Sequence, residues 1–104
     1  MQEKYAAFWE KGTYQCKKCG AHLFPSDTKF KSGTEWPSFR TALPGAIKTK
    51  PDLSHGMVRT EILCAKCGQH LGHVFDDGRV CGDTHPQAGK RFCVLSGALA
   101  FRKK

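Results

Sequence analysis

Aromatic residues near the start of the chain recur at helical spacing. Tyr5, Phe8 and Trp9 would share one face of a helix, because residues three and four apart lie above one another. Gly12 follows at a position suited to ending that helix. The pattern predicts a short amphipathic helix over Gln2–Lys11, packed on the rest of the chain by its aromatic face.

Beyond this segment, helical spacing gives way to short apolar runs separated by turn residues. In Met57–Leu63 the side chains alternate, with Val58, Thr60 and Ile62 facing one way. Short runs at close spacing with a single helix favour a mainly β fold of small antiparallel sheets. The predicted strands are Thr13–Cys16, His22–Phe24, Met57–Leu63, Leu71–Phe75, Phe92–Leu95 and Ala98–Phe101, and the predicted loops include Pro37–Pro44 and Asp83–Lys90.

The composition is that of one globular domain. With 104 residues, of which 39% are hydrophobic and 25% charged, the chain is too apolar to be disordered, and we predict a single domain over residues 1–104. No apolar run approaches the roughly 18 residues of a membrane span, and no signal-peptide core follows the polar start MQEKYAAFWEKG. We therefore expect a cytoplasmic protein without a membrane partner, and nothing in the pattern requires more than a monomer.

Six cysteines are the unusual feature of the composition. In a reducing compartment, clustered cysteines indicate a metal site or thiol chemistry. Four of them fall in two matching C-x-K-C-G segments, residues 16–20 and 64–68. A two-residue gap lets one turn direct both thiolates at a single ion, and two such turns supply the four soft ligands of a tetrahedral zinc site. We predict one structural Zn²⁺ per chain, bound by Cys16, Cys19, Cys64 and Cys67.

Two alternatives compete with zinc at these segments: a redox-active C-x-x-C pair, and two disulfides. Redox C-x-x-C motifs usually open a helix in a βαβ context, which neither segment does. Four protein ligands close the coordination shell and leave no place for a catalytic water, so the metal would be structural. Residues 20–63 separate the two pairs, far more than the about 15–20 residues usual in a zinc ribbon. The ion would therefore join distant segments of the chain.

Cys81 and Cys93 belong to neither segment. If residues 90–95 form a strand, Arg91, Cys93 and Leu95 share one face, and the other face is apolar. A guanidinium beside Cys93 would favour the thiolate form of that residue. These residues alone fit equally well an inert cysteine in a half-buried strand, because reduced cysteine is among the most buried residue types.

Two histidines favour the interpretation of Cys93 as a reactive cysteine. On a regular strand His70 and His73 would face opposite ways, but Gly72 permits a bend that could bring the rings together. Two imidazoles near a thiol are suited to proton transfer at a nucleophile. Alternatively, the two histidines are surface residues or further metal ligands. The proline-stiffened segment Trp36–Phe39 offers either core packing or a pocket wall. The remaining histidines are expected to be surface or structural residues: His22, His55 and His85.

Taken together, these motifs resemble the B-type methionine sulfoxide reductases over nearly the whole chain. The matching segments, in order, are GTYQC…CG, LF ending at Phe24, SGTEWPSF, SHGMVRTEI, CAKCGQHLGHVFDDG and GKRFCVLSGALAF. No single segment would suffice, but their order and spacing make the resemblance specific. Members of this family reduce one epimer of methionine sulfoxide, which for the B type is the R form at sulfur.

The resemblance implies a fold and a set of residue roles. The fold is two small antiparallel sheets with a short helix at the N-terminus, stapled by the structural zinc. Cys93 stands where the family places its nucleophile, and Arg91 matches a basic neighbour of that residue. His70 and His73 match histidines that bind water and the sulfoxide oxygen. Trp36 corresponds to the aromatic wall that holds the S-methyl group of the substrate.

The resemblance also implies a reaction and its partners. The Cys93 thiolate attacks the sulfoxide, an acid near His73 supplies a proton, and methionine leaves with Cys93 as a sulfenic acid. A second thiol then forms a disulfide, which a thioredoxin-like dithiol protein reduces. The expected substrates are oxidised proteins or peptides bearing methionine-R-sulfoxide, and free methionine sulfoxide is an open alternative. The role would be protein repair under oxidative stress.

Two positions depart from the family pattern. Members with a resolving cysteine carry C-G-W-P, and this chain has Thr34 where that cysteine would stand. Cys81 is the spare thiol, which makes it a candidate resolver; the alternative is direct reduction by an external thiol. Many members have Asn two residues after the nucleophile, where this chain has Leu95. That difference bears on rate and substrate preference rather than on the reaction.

The net charge of +8 raises two other classes of function. A basic zinc protein could bind nucleic acid, but the sequence lacks a basic face interleaved with aromatics, and the histidines and Cys93 stay unexplained. Four thiolates and one Zn²⁺ would also remove part of the positive charge. A zinc-dependent binding module of the same fold would need no nucleophile, which Cys93 beside Arg91 argues against. We therefore expect no nucleic-acid partner.

Overall fold

The computed structural model describes residues 8–32, 36–86 and 88–103. These residues form nine β-strands and three short 3-10 turns. The strands are β1 (Gly12–Cys16), β2 (His22–Pro25), β3 (Lys29–Phe30), β4 (Ser38–Phe39), β5 (Ile47–Asp52), β6 (Arg59–Cys64), β7 (His70–Phe75), β8 (Arg91–Val94) and β9 (Leu99–Lys103). The 3-10 turns are Ser26–Thr28, Ser54–Gly56 and Ser96–Ala98. Within these three ranges, no helix has the length and apolar character needed to cross a membrane.

The strands form two antiparallel sheets, which confirms the predicted mainly β class. One sheet has three strands in the order β2-β1-β9, and the other has six in the order β3-β4-β8-β7-β6-β5. In the central strand β1, Tyr14 and Cys16 are buried while the residues around them are only half-buried. This period-two alternation is the reason that β1 can pair on both edges and still face the core on one side.

The hydrophobic core is built by residues of both sheets. The Phe24 and Phe39 rings stack at 4.5 Å, and Tyr14 meets Phe39 edge-on at 5.0 Å. Trimming a buried ring such as Phe39 to alanine costs about 3–5 kcal/mol, so these contacts fix how the two sheets sit against each other. The fully buried apolar members are Tyr14, Leu23, Phe24, Phe39, Ile62, Leu71 and Val94.

The predicted N-terminal helix is not seen. Its residues 2–7 lie outside the described part of the chain, and residues 8–11 have irregular backbone. The aromatic residues contact strands instead: Phe8 packs edge-on against Phe101 at 4.7 Å, and the Lys29 ammonium lies 4.3 Å from the Trp9 ring centre. A helix of about ten residues is marginal without supporting contacts, so these tertiary contacts decide the local backbone.

The hydrophobic pattern also misses strand β5. Its sequence, IKTKPD, has four exposed residues in a row and no alternation, because it forms the outer edge of the larger sheet. Lys48, Lys50 and Pro51 are typical of an edge strand that must not pair with another chain. The predicted loop Pro37–Pro44 likewise contains the short strand β4. Strand β6 begins two residues later than predicted, leaving Val58 exposed.

Candidate functional site

The two C-x-K-C-G segments fold into turns of the same shape. In the first, the Gly20 N–H donates to the Cys16 carbonyl at 2.8 Å, and in the second the Gly68 N–H donates to the Cys64 carbonyl at 2.8 Å. Both glycines have φ of 79°, a left-handed conformation that a side chain would strain. The glycine after each pair is therefore required by the turn that directs the sulfurs.

These turns bring four sulfurs together where β1 of the small sheet meets β6 of the large one. The Sγ atoms of Cys16, Cys19, Cys64 and Cys67 all lie within 4.8 Å of one another. The Cys16–Cys67 and Cys19–Cys64 separations are both 3.6 Å. A tetrahedral ZnS₄ group with Zn–S bonds near 2.3 Å needs sulfurs about 3.8 Å apart, so the donor set fits such an ion. All six cysteines lie in the described ranges, and none forms a disulfide.

Backbone amides surround the first sulfur of each turn. Burial raises the pKa of the Cys16 thiol to about 12, although N–H groups of the following turn oppose that shift. At Cys64 burial also opposes ionisation, but N–H groups from Cys67 and Lys66 lower the pKa of the thiol to about 7. The Cys64 thiol therefore ionises more readily than the Cys16 thiol. Amides directed at sulfur and a buried setting are what a closed metal–thiolate centre requires, so this cluster can hold a metal ion.

The second site lies on one face of the large sheet. The antiparallel register places Cys93 of β8 opposite His73 of β7 and opposite Ser38 of β4. His73 in turn faces Glu61 of β6. Residues directly opposite in an antiparallel pair share a face, so a thiol, an imidazole and a carboxylate form one row across three neighbouring strands. Cys93 is half-buried within this row.

A bulge at Gly72 brings the two histidines to this face. The register between β6 and β7 shifts at Ile62, and the His70 and His73 ring centres lie 5.6 Å apart in an edge-to-face arrangement. Gly72 has φ of 155°, and a Cβ there would lie 2.0 Å from the Cys93 carbonyl oxygen. The bend predicted at this glycine is confirmed. Its cause is both the backbone conformation and the close approach of β8.

Each of these histidines has its own carboxylate. Nε2 of His73 lies 2.7 Å from Oδ2 of Asp52, and Nδ1 of His70 lies 2.6 Å from Oε2 of Glu61. Hydrogen bonds from Ser54 and His73 hold the pKa of Asp52 well below its usual range. Sequence reasoning missed both carboxylates, because only the strand register shows which acid reaches which ring. The alternation of Arg59 and Glu61 with apolar residues was the one available signal.

Arg91 is held in place beside Cys93 by an acid and a ring. Its Nε and Nη2 donate to the two carboxylate oxygens of Asp77 at 2.8 and 3.2 Å, and its guanidinium carbon lies 4.6 Å from the Phe75 ring centre. The Asp77 hydrogen bond is the main cause that raises the pKa of Arg91, and the charges of Cys93 and Cys81 act in the same direction. The guanidinium is therefore held where its positive charge can stabilise a thiolate at Cys93.

The other sequence-predicted positions lie around this face. Trp36 is 40% exposed, and the carbonyl of the next residue, Pro37, accepts from the Val94 N–H at 3.1 Å, which ties the Trp36 segment to strand β8. Cys81 lies in the loop after β7, where its N–H donates to the Asp77 carbonyl at 3.0 Å. Leu95 directly follows β8 and is 38% exposed. His22 and His85 are exposed, while Thr34 and the side chain of His55 lie outside what is described.

Comparisons with known proteins agree on one family. A family model described as "SelR domain" matches residues 1–103. A peptide methionine sulfoxide reductase MsrB of Variovorax paradoxus is 55% identical over 102 residues, which cover 97% of this chain and 71% of that protein. Proteins of the same name from Leptospira interrogans and a Synechococcus species are each 53% identical. They match 91% and 94% of this chain and 69% and 71% of their own lengths.

A solved structure supports the fold independently. The crystal structure of the Mis18 "Yippee-like" domain superposes with a TM-score of 0.68, over 91% of this chain and 98% of that chain. At 17% identity this likeness shows the fold alone. The sequence matches also show the family, because they cover almost the whole chain and the relatives are more than 50% identical to it. The chain therefore belongs to the SelR family, the family of the MsrB peptide methionine sulfoxide reductases.

Proposed function

We propose that this protein reduces methionine-R-sulfoxide in oxidised proteins and peptides, with Cys93 as the nucleophile. The observation that carries the proposal is the position of Cys93, opposite His73 in the sheet register and beside the Arg91 guanidinium. A thiol next to a fixed cation and an imidazole is a suitable nucleophile with a proton donor at hand. Membership of the MsrB family supports the same chemistry.

The proposed step balances in atoms and electrons. In the net step the oxygen moves from the methionine sulfur to the Cys93 sulfur: the sulfoxide S–O bond breaks, the electron pair of the Cys93 thiolate is used in the new Cys93 S–O bond, and the oxygen takes up one proton. The products are methionine and a Cys93 sulfenic acid, so the sulfoxide is reduced by two electrons and the cysteine is oxidised by two. His73 and His70 are the proposed donors of that proton, and Arg91 is proposed to stabilise the attacking thiolate.

Trp36 is proposed to form the wall against which the S-methyl group packs. It is partly exposed, and its segment is bonded to the strand that carries Cys93. An indole face is apolar and electron-rich, so it suits a methyl group on a sulfur that gains positive character. Leu95, two residues beyond Cys93, offers an apolar contact where a polar one would otherwise stand.

Cys81 is proposed to resolve the sulfenic acid. Its thiol is among the groups that hydrogen-bond the Asp77 carboxylate, and Asp77 holds Arg91 beside Cys93. Attack of the Cys81 thiol on the Cys93 sulfenic acid forms a disulfide and releases water. A thioredoxin-like dithiol would then reduce that disulfide and become oxidised itself. The alternative is direct reduction of the sulfenic acid by an external thiol.

The ion at the four-cysteine cluster is proposed to be a structural Zn²⁺. Cys16, Cys19, Cys64 and Cys67 would supply all four ligands, which leaves no position for a substrate or a reactive water. When bound, the ion supplies a rigid cross-link between the two sheets and no catalytic chemistry. The reduction proposed for Cys93 proceeds entirely at the other site.

The test of the proposed function uses single turnover. Protein without added reductant is mixed with a peptide carrying either epimer of methionine sulfoxide, and methionine is quantified. We expect about one methionine per chain from the R epimer and none from the S epimer. Cys93→Ser should lose at least about 10³-fold in rate, because the nucleophile is removed. An inactive wild type, or a fully active Cys93→Ser protein, would falsify the proposal.

Cys81→Ser serves as the matched variant and also tests the resolver. It should still form one methionine in a single turnover, because the first step needs only Cys93. After that turnover the wild type should contain a Cys81–Cys93 disulfide, found by peptide mapping, and the variant should contain a trapped sulfenic acid. Intact Cys81 thiol in the reacted wild type excludes the resolver and leaves reduction by an external thiol.

A further inference from the structure

We propose that Asp52 is a positioning residue for the sulfoxide reduction, holding the His73 ring in one orientation and with its proton on one nitrogen. The inference rests on the proposed function and adds a residue to its machinery. Asp52 ends the edge strand β5, which hydrophobic patterning does not even predict. Its side chain nevertheless reaches across β6 to the ring that lies opposite Cys93.

The contact fixes which nitrogen carries the proton. Oδ2 of Asp52 lies 2.7 Å from Nε2 of His73, a short distance typical of a charge-assisted hydrogen bond. An ionised carboxylate can only accept, so Nε2 must be the donor. In the neutral ring, Nδ1 is then the nitrogen with the lone pair. In the protonated ring, Nδ1–H is the proton that can be given up while the bond to Asp52 remains intact.

The carboxylate is itself held on both oxygens. The hydroxyl of Ser54 donates to Oδ1 at 2.7 Å, and the Ser54 backbone N–H donates to the same atom at 3.0 Å. Nη2 of Arg59 lies 3.3 Å from Oδ2. These donors also keep the pKa of Asp52 well below its usual range, so the group stays ionised at neutral pH. A fixed acceptor of constant charge is what orienting an imidazole requires.

The other charged groups on this face do not duplicate the contact. Glu61 directs its carboxylate to His70 at 2.6 Å, and Arg91 is bonded to Asp77. His70 is also the more exposed ring, with 43% of its side chain accessible against 19% for His73. Asp52 is therefore the carboxylate that orients the ring opposite the nucleophile. The ionisable groups that the contacts and the strand register place on this face around His73 are Lys50, Asp52, Arg59, Glu61, His70, Arg91 and Cys93.

The consequence for the reaction is a defined proton path. As the S–O bond breaks, the proton on Nδ1 of the imidazolium passes to the sulfoxide oxygen, which leaves as the hydroxyl of the Cys93 sulfenic acid. The neutral ring keeps Nε2–H and its bond to Asp52, so no reorientation is needed during the step. Without Asp52 the ring could carry its proton on either nitrogen and rotate, which lowers the fraction of productive complexes.

The test combines single-turnover rates with imidazole NMR on the metal-loaded protein. Asp52→Asn removes the charge, Asp52→Glu keeps it one methylene further along the side chain, and Ser54→Ala removes one anchoring donor. Asp76→Asn is the matched control, because Asp76 has an exposed ion pair with Lys90 away from the row of Cys93 and His73. Thermal unfolding and metal content establish that each variant is folded.

We expect Asp52→Asn to lower the single-turnover rate about 10- to 100-fold with little change in KM, because general acid catalysis is the part affected. Asp52→Glu should restore part of that loss, and Ser54→Ala should cost about two- to fivefold. In ¹H–¹⁵N spectra, His73 of the wild type should carry its proton on Nε2. In Asp52→Asn the two tautomers should mix, a change that a merely structural role would not produce.

Each outcome decides between the two proposals. If the wild type is active and Asp52→Asn matches Asp76→Asn in rate and keeps the Nε2–H tautomer, the positioning role is overturned and the proposed function stands. If the wild type forms no methionine, the proposed function fails and this role fails with it. If Asp52→Asn does not fold, the rates and spectra of Asp52→Glu and Ser54→Ala give the same decision.

Discussion

Cysteines lie in two regions of the molecule with different surroundings, and the surroundings suit the two different roles proposed for them. At the metal end, four sulfurs face one another within 4.8 Å at the junction of two sheets, so they can all bind one ion. On the reactive face, Cys93 instead has an imidazole opposite and a guanidinium beside it. The residue type is the same in both regions. The neighbours decide whether a thiolate is bound permanently or remains available to attack a substrate.

The two regions are also connected along the chain. Cys64 ends β6, Cys67 lies in the turn that follows, and β7 with both histidines begins three residues later at His70. The Leu95 N–H, just after β8, donates to the Leu71 carbonyl at 2.9 Å and holds the ends of the two strands together. A metal ion bound by the four cysteines would therefore fix the turn that precedes the strand on which the proposed acid lies.

The largest effect on stability and activity should follow loss of the ion from the four-cysteine cluster. A structural zinc contributes roughly 10–16 kcal/mol of apparent binding free energy, against a net stability of roughly 5–15 kcal/mol for a small domain. We therefore expect Cys64→Ser, or treatment with a strong chelator, to unfold the chain and abolish activity together. Circular dichroism, metal content and reductase rate measure the three quantities on one sample.

Cys81→Ser is the control for that experiment, since it makes the same cysteine-to-serine change at a half-buried position outside the cluster, whereas Cys64 is buried within it. It should keep its metal and its unfolding temperature within a few degrees of the wild type. A metal-free Cys64→Ser protein with wild-type unfolding temperature would contradict a structural role for the ion.

A smaller but still large effect is expected at Gly72, where the histidine strand bends. Gly72→Ala would place a methyl group 2.0 Å from the Cys93 carbonyl oxygen, so β7 and β8 must separate or the bulge must be lost. We expect the free energy of unfolding to fall by about 2–4 kcal/mol, because the methyl group clashes with β8 and because a side chain strains the backbone at this positive φ. Activity should fall more than tenfold even in the folded fraction, measured at low temperature.

Gly45→Ala is the matched control for Gly72→Ala. Gly45 also has positive φ, 71°, but nothing lies within 4 Å of a Cβ built there. Its substitution should cost only about 1–2 kcal/mol of backbone strain and leave activity unchanged. Equal losses in the two variants would mean that strain alone, and not the approach of β8, explains the need for glycine at position 72.

The metal end could be predicted from sequence almost completely, and the reactive face only in part. Two C-x-K-C-G segments specify their turns locally, so spacing alone brings each pair of sulfurs together. The meeting of His70 and His73 was also predictable, because Gly72 marks the bend. Asp52 could not be predicted, since its contact depends on the register of an edge strand with no alternation. Local motifs can be recognised in a sequence, whereas ion pairs between strands can be identified only when the pairing of the strands is known.

The smallest expected effect is a loss of stability at the loops near the reactive face. These loops are held by ion pairs rather than by a metal site. Asp83 is buried in the loop that leads to β8, and its two carboxylate oxygens accept from Nε and Nη2 of Arg40 at 3.1 and 2.9 Å. Asp83→Asn keeps the shape of the side chain but loses the charge. We expect it to cost about 1–3 kcal/mol at pH 7, measured by thermal unfolding.

The pH dependence of that cost follows from the direction of the pKa shift. Hydrogen bonds from Arg40 lower the pKa of Asp83 below the ordinary value near 3.8, so its stabilisation is fully present above that value. The difference in unfolding free energy between wild type and Asp83→Asn should therefore stay constant from pH 8 to pH 5 and shrink only as the pH falls through the folded-state pKa of Asp83. Asp76→Asn, an exposed pair, should change stability by less than about 0.5 kcal/mol throughout. If the difference in unfolding free energy already shrinks between pH 7 and pH 5, the stability of this loop depends on the titration of a histidine or a thiol. The explanation by an Arg40–Asp83 ion pair would then be wrong.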